Sequence, residues 1–425
     1  MKNICFCFQM SLPYSLKRYR FFDMGTDHYY YDEMHTSEVV EYMVNTSYMP
    51  LCKVLEEMIS MSKQRFRCAL AISGLTIEMF EIYNPAMIDM LRTLAQTGCV
   101  EFVAVPYSYS LASEYSESEF IEQLNAQQKK IKDLFKVTST TVFNTELMFN
   151  DERVITLEKL GYKTQMIEGA KQLLGGKSPN MVFHASIAPK MTLLARNMDL
   201  SDELTFHFSD PNWYGFPFDS EKYVRCLNEL PEQDELFNIW VGADTFGCRQ
   251  NQGTGIFEFL KMIPYYALSN NMKFVMPSEA AKKVMSDGGR LSSPETITWS
   301  GAMKNVRIYN GNDLQQEALQ KLFAVADRVH LCKDKTLKLD WLKLQSVEHF
   351  QNMNFIEPGI TRYESAYDAF INYMNILSDF LERVAEQYPI TIENEELNEL
   401  LTQIDNQNKQ ITKLESEVKK LRAKK

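Results

Sequence analysis

Thr140-Thr141-Val142-Phe143-Asn144-Thr145-Glu146-Leu147-Met148-Phe149-Asn150-Asp151 passes from a β-branched and aromatic run into a polar turn. That is the pattern of a buried strand reaching a loop. Glu146 stands where the strand runs out, among apolar neighbours. In a parallel α/β barrel the catalytic side chains gather at the ends of the strands. A carboxylate there suits a nucleophile or an acid/base, provided a second carboxylate lies close by. Taken alone, the stretch reads more readily as a solvated glutamate opening the next helix, so the rest of the chain has to decide.

Similar units lie on both sides. Met1-Lys2-Asn3-Ile4-Cys5-Phe6-Cys7-Phe8-Gln9 reads as a first strand. Its apolar core is too short for a signal peptide and no small-residue cleavage site follows. Residues 68–73 and 100–105 are further buried runs, and Met191 to Arg196, Leu204 to Phe208 and Leu236 to Val241 add more. Lys273-Phe274-Val275-Met276-Pro277 closes this region. Helical patterning fills the gaps: residues 37–62, a segment stopping at Gly98, another from Glu119 to Lys132 with Ser118 as N-cap, and one ending at Gly161. Strand, loop and helix repeated with wholly apolar strands predict a parallel sheet covered by helices. Seven or eight units favour a barrel. From Gln315 to Gln387 the pattern is helical throughout.

The chain has 425 residues, a net charge of −11 and 45% hydrophobic residues. The length exceeds a single ordinary core. The acidic balance disfavours nucleic acid. Eight cysteines are scattered without CxxC pairs, which points to reduced thiols in a cytoplasmic protein. The six histidines show no metal-ligand spacing, so no metal is expected. No stretch approaches the roughly 18 apolar residues of a membrane span.

Several stretches, in order, resemble the amylase-type branch of the family-57 glycoside hydrolases. They are residues 17–23, Asp27-His28-Tyr29-Tyr30-Tyr31-Asp32, Gly98-Cys99-Val100-Glu101-Phe102, Asn144-Thr145-Glu146-Leu147 and Glu168-Gly169-Ala170. Thr245-Phe246-Gly247, residues 254–260 and residues 369–375 complete the set. The resemblance implies an α/β fold, a (β/α)7-type barrel followed by a helical bundle. It also implies retaining hydrolysis or transfer on α-1,4-glucans without a cofactor. The expected domains are the barrel over 1–285, the helical domain over 286–390 and a tail over 391–425.

Retaining chemistry needs two carboxylates about 5 Å apart, one as nucleophile and one as acid and then base. Glu146 matches the family's nucleophile. The family's acid is the aspartate of an Asp-Tyr-Glu-Thr-Phe-Gly-like segment, which here reads Gly242-Ala243-Asp244-Thr245-Phe246-Gly247. Gly242 cannot protonate anything. Asp244 is the alternative acid, but along an extended strand it lies about 6.6 Å from position 242, too far unless the backbone bends. Other departures run the same way. The family's His-Gln-Pro reads Ser11-Leu12-Pro13, an expected Glu and His fall on Val105 and Tyr109, and Met303-Lys304-Asn305 replaces a Glu-Arg-Asp. The expectation is therefore an amylase fold with a disabled site, binding or regulating in cytoplasmic α-glucan or glycogen metabolism. The alternatives are an active retaining hydrolase or glucanotransferase with a rearranged acid/base, and a scaffold that oligomerises through its tail.

Loop aromatics are the candidate sugar platform: Tyr29, Tyr30, Tyr107, Tyr109, Trp213, Tyr214, Phe216 and Phe246, with Tyr109, Trp213 and Phe246 as the leading substrate contacts. The opposing reading packs them against the helical domain. In the tail, Leu397, Leu400, Ile404, Gln407, Ile411, Leu414, Val418 and Leu421 alternate three- and four-residue steps. That is the seam of a coiled coil joining a second copy or a partner helix.

Overall fold

Most of the apolar runs become strands because both of their faces are buried. β1 (Asn3–Met10), β2 (Cys68–Ile72), β3 (Val100–Phe102), β4 (Thr141–Phe143), β5 (Thr164–Glu168), β6 (Val182–Ala185), β7 (Thr192–Arg196) and β8 (Leu236–Gly242) follow in chain order. The computed structural model describes residues 1–284, 286–359, 361–387, 399–404, 406–407, 409–411 and 414.

Parallel pairing joins β1 to β2 and β8, β2 to β3, β4 to β5, and β5 to β7. Two junctions close the ring. Ala104 N donates to Thr141 O at 2.9 Å and Phe143 N to Ala104 O at 2.8 Å, which links β3 to β4. Asn197 N donates to Asn238 O at 2.9 Å, and Asn238 Nδ2 to Ala195 O at 2.8 Å, which links β7 to β8. The wall thus runs β1-β2-β3-β4-β5-β7-β8 and back to β1, a seven-stranded parallel barrel. Lys273–Phe274 adds a short strand beside the start of β1. β6 lies outside the wall, antiparallel to β7 and parallel to a strand at Asp287–Leu291. Ile4 to Phe8 are buried, with the Phe6 and Phe8 rings stacked at 5.9 Å. All eight cysteines are free, and burial pushes the Cys5 and Cys7 thiols up.

Leu204 to Phe208, expected as a strand, is helical. Asn197 caps Met198–Asp202, and a wide turn over Glu203–His207 prolongs it. Thr205 Oγ1 bonds backward to Ser201 O at 3.1 Å, which lets a β-branched residue sit within the helix. The helix expected to start at Glu119 spans Glu117–Phe135 and is capped by Ser116.

After the strand at Asp287–Leu291, helices begin at Arg307 and continue through Asp313–Phe323, Lys335–Leu344, Val347–Gln351 and Ala366–Gln387. The loop of residues 14–35 clasps the last of them. Fully buried Asp379 accepts from Gly25 N at 2.7 Å and Tyr30 OH at 2.6 Å, and meets His28 Nδ1 at 2.9 Å. Burial is the largest single influence on its carboxyl and pushes it up, but these bonds together hold it below the usual range. No described helix is long and apolar enough to cross a membrane. Most of the expected coiled coil lies outside the described residues. The described parts, 399–404, 406–407, 409–411 and 414, are helical, with Leu400, Ile404, Ile411 and Leu414 exposed.

Buried His349 makes the fold acid-sensitive. Burial pushes its pKa down to about 4, opposed by a bond to Lys343 O. Below the ordinary value of 6.5 the unfolded chain takes up a proton that the folded chain refuses, so stability falls as the pH drops from 6.5 towards 4. The effect amounts to about 3 kcal/mol at most. Denaturant unfolding at several pH values should show a steeper loss for the wild type than for His349→Gln over this window; parallel slopes would refute the assignment.

Candidate functional site

Glu146 is placed by the turn that follows β4. Asn144 caps it, its Oδ1 accepting from Thr145 N at 2.9 Å. Glu146 (φ 53°) and Leu147 (φ 55°) then adopt left-handed backbone, which costs a non-glycine residue about 1–2 kcal/mol. Neighbours hold the turn there. Glu146 N donates to Tyr109 OH at 3.2 Å, and Trp299 N donates to Glu146 O at 2.9 Å. Trp299 is brought in by antiparallel pairing of Ile297 with Phe149.

The side chain is equally fixed. Its Oε2 accepts from Trp299 Nε1 at 2.7 Å, from Tyr309 OH at 2.6 Å and from Ser300 Oγ. Oε1 accepts from no described residue. Behind Trp299 lies a buried ion pair at the ends of β5 and β7. Arg196 Nη1 meets Glu168 Oε2 at 3.1 Å, Nε donates to Trp240 O at 2.7 Å, and the guanidinium lies 5.5 Å from the indole centroid. Burial pushes the Glu168 carboxyl up, and Arg196 and Lys304 oppose it. Lys304 Nζ also donates to Trp299 O at 2.7 Å.

At another edge of the mouth, Gly242 ends β8 in register with Gln9 of β1. The backbone then bends through a tight turn at Ala243–Thr245. That bend folds the Asp244 carboxylate back over Gly242, so a Cβ at 242 would collide with Asp244 Oδ1. The expectation that Asp244 lies out of reach assumed an extended strand, and the turn removes that assumption. Asp244 Oδ2, however, accepts from Arg249 Nε at 2.6 Å.

A third carboxylate was not anticipated. Glu348 belongs to the Val347–Gln351 helix. Val347 N donating to Tyr109 O at 3.1 Å, and pairing of Ser346 with Ser110, anchor that helix at the mouth. Glu348 Oε1 accepts from Ser11 Oγ at 3.0 Å. Its Oε2 is shut from solvent and meets no partner among the described residues. Burial above all, with the charge of Glu146 added, pushes the Glu348 carboxyl up to about 7, while its own backbone amide and Ser11 oppose. No signal in the sequence marks it, because it is one glutamate in a helical run.

Gln9, Ser11, Glu146, Gly242, Asp244, Trp299, Ser300 and Glu348 all keep partial solvent access, whereas most of the strand residues beneath them have none. They outline an opening at the C-terminal ends of the strands. The expected sugar contacts differ in how much of a face they expose. Phe246 is wholly buried against Phe8 and Phe257, and Tyr109 is buried with its hydroxyl against Glu146; neither ring offers a face to a sugar. Trp213 is half-buried and stacks on His207 at 5.8 Å. Tyr214 and Phe216 are exposed, as is Phe206, which carries Arg249 over its ring at 6.0 Å. Phe206 was not among the expected aromatics. Among the described residues no group of three or more His, Cys, Asp or Glu is placed to hold a metal ion.

The model for glycosyl hydrolase family 57 matches residues 5–292. A putative alpha-amylase of Methanocaldococcus jannaschii is 29% identical over 371 residues, covering 83% of this chain and 78% of that protein. Among solved structures, the 4-alpha-glucanotransferase of Thermococcus litoralis superposes with a TM-score of 0.66 at 15% identity. That match covers 90% of this chain and 60% of the longer enzyme. A family-57 branching enzyme of Thermococcus kodakaraensis gives 0.65 at 12% identity over 94% of both chains. At such identities the structural likeness establishes the fold alone.

The crowding at position 242 can be measured. Gly242→Ala should destabilise by about 1 kcal/mol because the Asp244 carboxyl must leave its place. In an Asp244→Ala background the same change should be nearly neutral, a coupling of about 1 kcal/mol in a double-mutant cycle. Strict additivity would show that Asp244 does not occupy that space.

Proposed function

Because the chain belongs to glycosyl hydrolase family 57, we propose that it takes an α-1,4-linked glucan across the mouth of the barrel and forms a glycosyl ester at Glu146. The observation carrying this reading is the asymmetry of the Glu146 carboxylate. Three donors fix Oε2, while Oε1 accepts from no described residue. A nucleophile is served by this arrangement, with one oxygen setting direction and the other free to attack an anomeric carbon. A solvated surface glutamate would have no use for a left-handed backbone held by several segments. Exposed Phe206, Tyr214 and Phe216 supply apolar faces for sugar rings. Water as acceptor makes the protein a hydrolase, and a glucan hydroxyl makes it a transferase.

A second reading keeps glucan binding without chemistry, as a binding or regulatory protein of cytoplasmic α-glucan metabolism. Gly242 favours it, since the family's proton donor is missing and Asp244 is committed to Arg249.

A substrate whose leaving group needs no proton separates the two. With α-maltotriosyl fluoride, the first reading expects fluoride release and a covalent sugar adduct by mass spectrometry, both abolished in Glu146→Gln. Maltoheptaose binding without any adduct would overturn it in favour of the second. Self-association through residues 393 to 425 is proposed under either reading, on the three-and-four spacing of its apolar positions. Light scattering should give a larger particle for the full chain than for a chain ending at Pro389; equal monomers would refute it.

A further inference from the structure

The missing side chain at 242 leaves open which group protonates the departing sugar. Two carboxylates at the mouth are candidates. Asp244 lies over Gly242 but spends Oδ2 on Arg249. Glu348 spends Oε1 on Ser11, and its Oε2 is closed to solvent with no partner among the described residues. A buried carboxyl oxygen with no donor in reach is costly as an anion and far cheaper as a hydroxyl.

The position fits the task. Gln9 of β1 pairs in register with Gly242 of β8, and Ser11, which holds Glu348, is two residues further along the same chain. Glu348 therefore stands at the β1 and β8 edge of the mouth, the edge from which the family's acid would have projected. Glu146 rises from β4, three strands away around the wall. One residue spans the gap: Tyr109 accepts from Glu146 N at its hydroxyl and from Val347 N at its carbonyl. Ser11 bonds to Glu348, and Tyr48, Tyr109, Tyr309 and Glu146 lie near enough to be coupled to its charge.

Resting on Glu146 as nucleophile, we propose that Glu348, supplied by the helical segment, is the catalytic acid and base of this site. In the first step the Glu348 carboxyl, turned from its closed resting place into the mouth, gives its proton to the glycosidic oxygen as the C1–O bond breaks and its electron pair stays on that oxygen. Glu146 Oε1 forms the bond to C1, and Glu348 is left as carboxylate. In the second step a water or sugar hydroxyl gives its proton to Glu348 as its oxygen attacks C1. The C1–Oε1 bond breaks and its pair returns to Glu146. Two carboxylates held in different charge states by their surroundings are what this chemistry requires.

The test is Glu348→Gln, which keeps an acceptor for Ser11, with thermal unfolding checked beside it. Turnover of maltoheptaose should fall by about 10²–10⁴-fold. Fluoride release from α-maltotriosyl fluoride should persist as a burst, with the Glu146 adduct accumulating because its base is gone. Added azide, which needs no base, should then release the retained α-glycosyl azide. In the wild type, kcat/KM on maltoheptaose should fall as the pH rises through about 7, while the fluoride burst should not. Unchanged maltoheptaose turnover in Glu348→Gln would overturn the assignment, as would equal loss on both substrates without azide rescue. So would azide rescue found in Asp244→Asn and not in Glu348→Gln, or a wild type that forms the adduct from the fluoride yet leaves maltoheptaose intact. Those results leave Glu146 standing as nucleophile, whereas an adduct that fails to form at all removes the reading on which Glu348 rests.

Discussion

A left-handed turn occupied by a glutamate is the constraint around which this molecule is arranged. Isolated, Glu146 and Leu147 would relax out of positive φ. They stay because the turn is bonded on several sides at once. Asn144 caps its start, Tyr109 takes its amide, Trp299 gives to its carbonyl, and Trp299, Ser300 and Tyr309 converge on its carboxylate. Net hydrogen bonds to a charged group contribute about 1.5–3 kcal/mol each. A few of them therefore outweigh the backbone cost. Strain held in this way fixes the direction of a side chain more tightly than any rotamer preference.

The glycine at 242 shapes its neighbours by a similar route. A glycine at the end of β8 leaves space beside Gln9, and the turn at Ala243–Thr245 lets the next carboxylate fill it. Once there, Asp244 is steered by Arg249, which also covers Phe206. Position 11 shows the counterpart. A serine is too short to reach across the mouth, but it can hold the helical segment's Glu348 in place. The small residues at 11 and 242 are thus not empty gaps; each is met by a neighbouring carboxylate.

Much of the barrel was legible from residues alone. β1, β2, β3, β4, β7 and β8 are apolar runs buried on both faces, and such runs declare themselves. β5 did not, because Thr164, Gln165 and Glu168 interrupt it. Their polarity is absorbed within the fold, with Gln165 Nε2 donating to Met148 O at 3.0 Å and Glu168 meeting Arg196, and local pattern carries no trace of that pairing. Leu204 to Phe208 misled in the opposite direction, since a short β-branched and aromatic run cannot be told from a helix by periodicity. At the mouth, the place of Glu146 after a strand was readable from the residues, while its reading as a nucleophile came only from the family resemblance. Asp244 depended on a bend that spacing cannot show, and Glu348 on a contact 337 residues away in sequence. The aromatics were overcounted for a related reason. Tyr30, Tyr109 and Phe246 are as aromatic as a sugar platform requires, but burial removes their faces.

The chain that follows the barrel is accordingly part of the candidate site and not a cover placed over it. Trp299, Ser300 and Tyr309 all lie beyond β8 and beyond the strand at Asp287–Leu291, and they are the donors to the Glu146 carboxylate among the described residues. Glu348 comes from further still. At the far end of that stretch the loop of residues 14–35 clasps the Ala366–Gln387 helix through Asp379, Asn372 and Asn375. That loop follows β1 directly, so it also follows Ser11. One continuous stretch from residue 3 to residue 35 therefore supplies a barrel strand, the anchor for Glu348 and the grip on the helical segment. Closure of the barrel and assembly of the site are for this reason coupled: a chain that failed to dock its helices would keep a barrel wall but hold Glu146 in a turn with little to keep it left-handed.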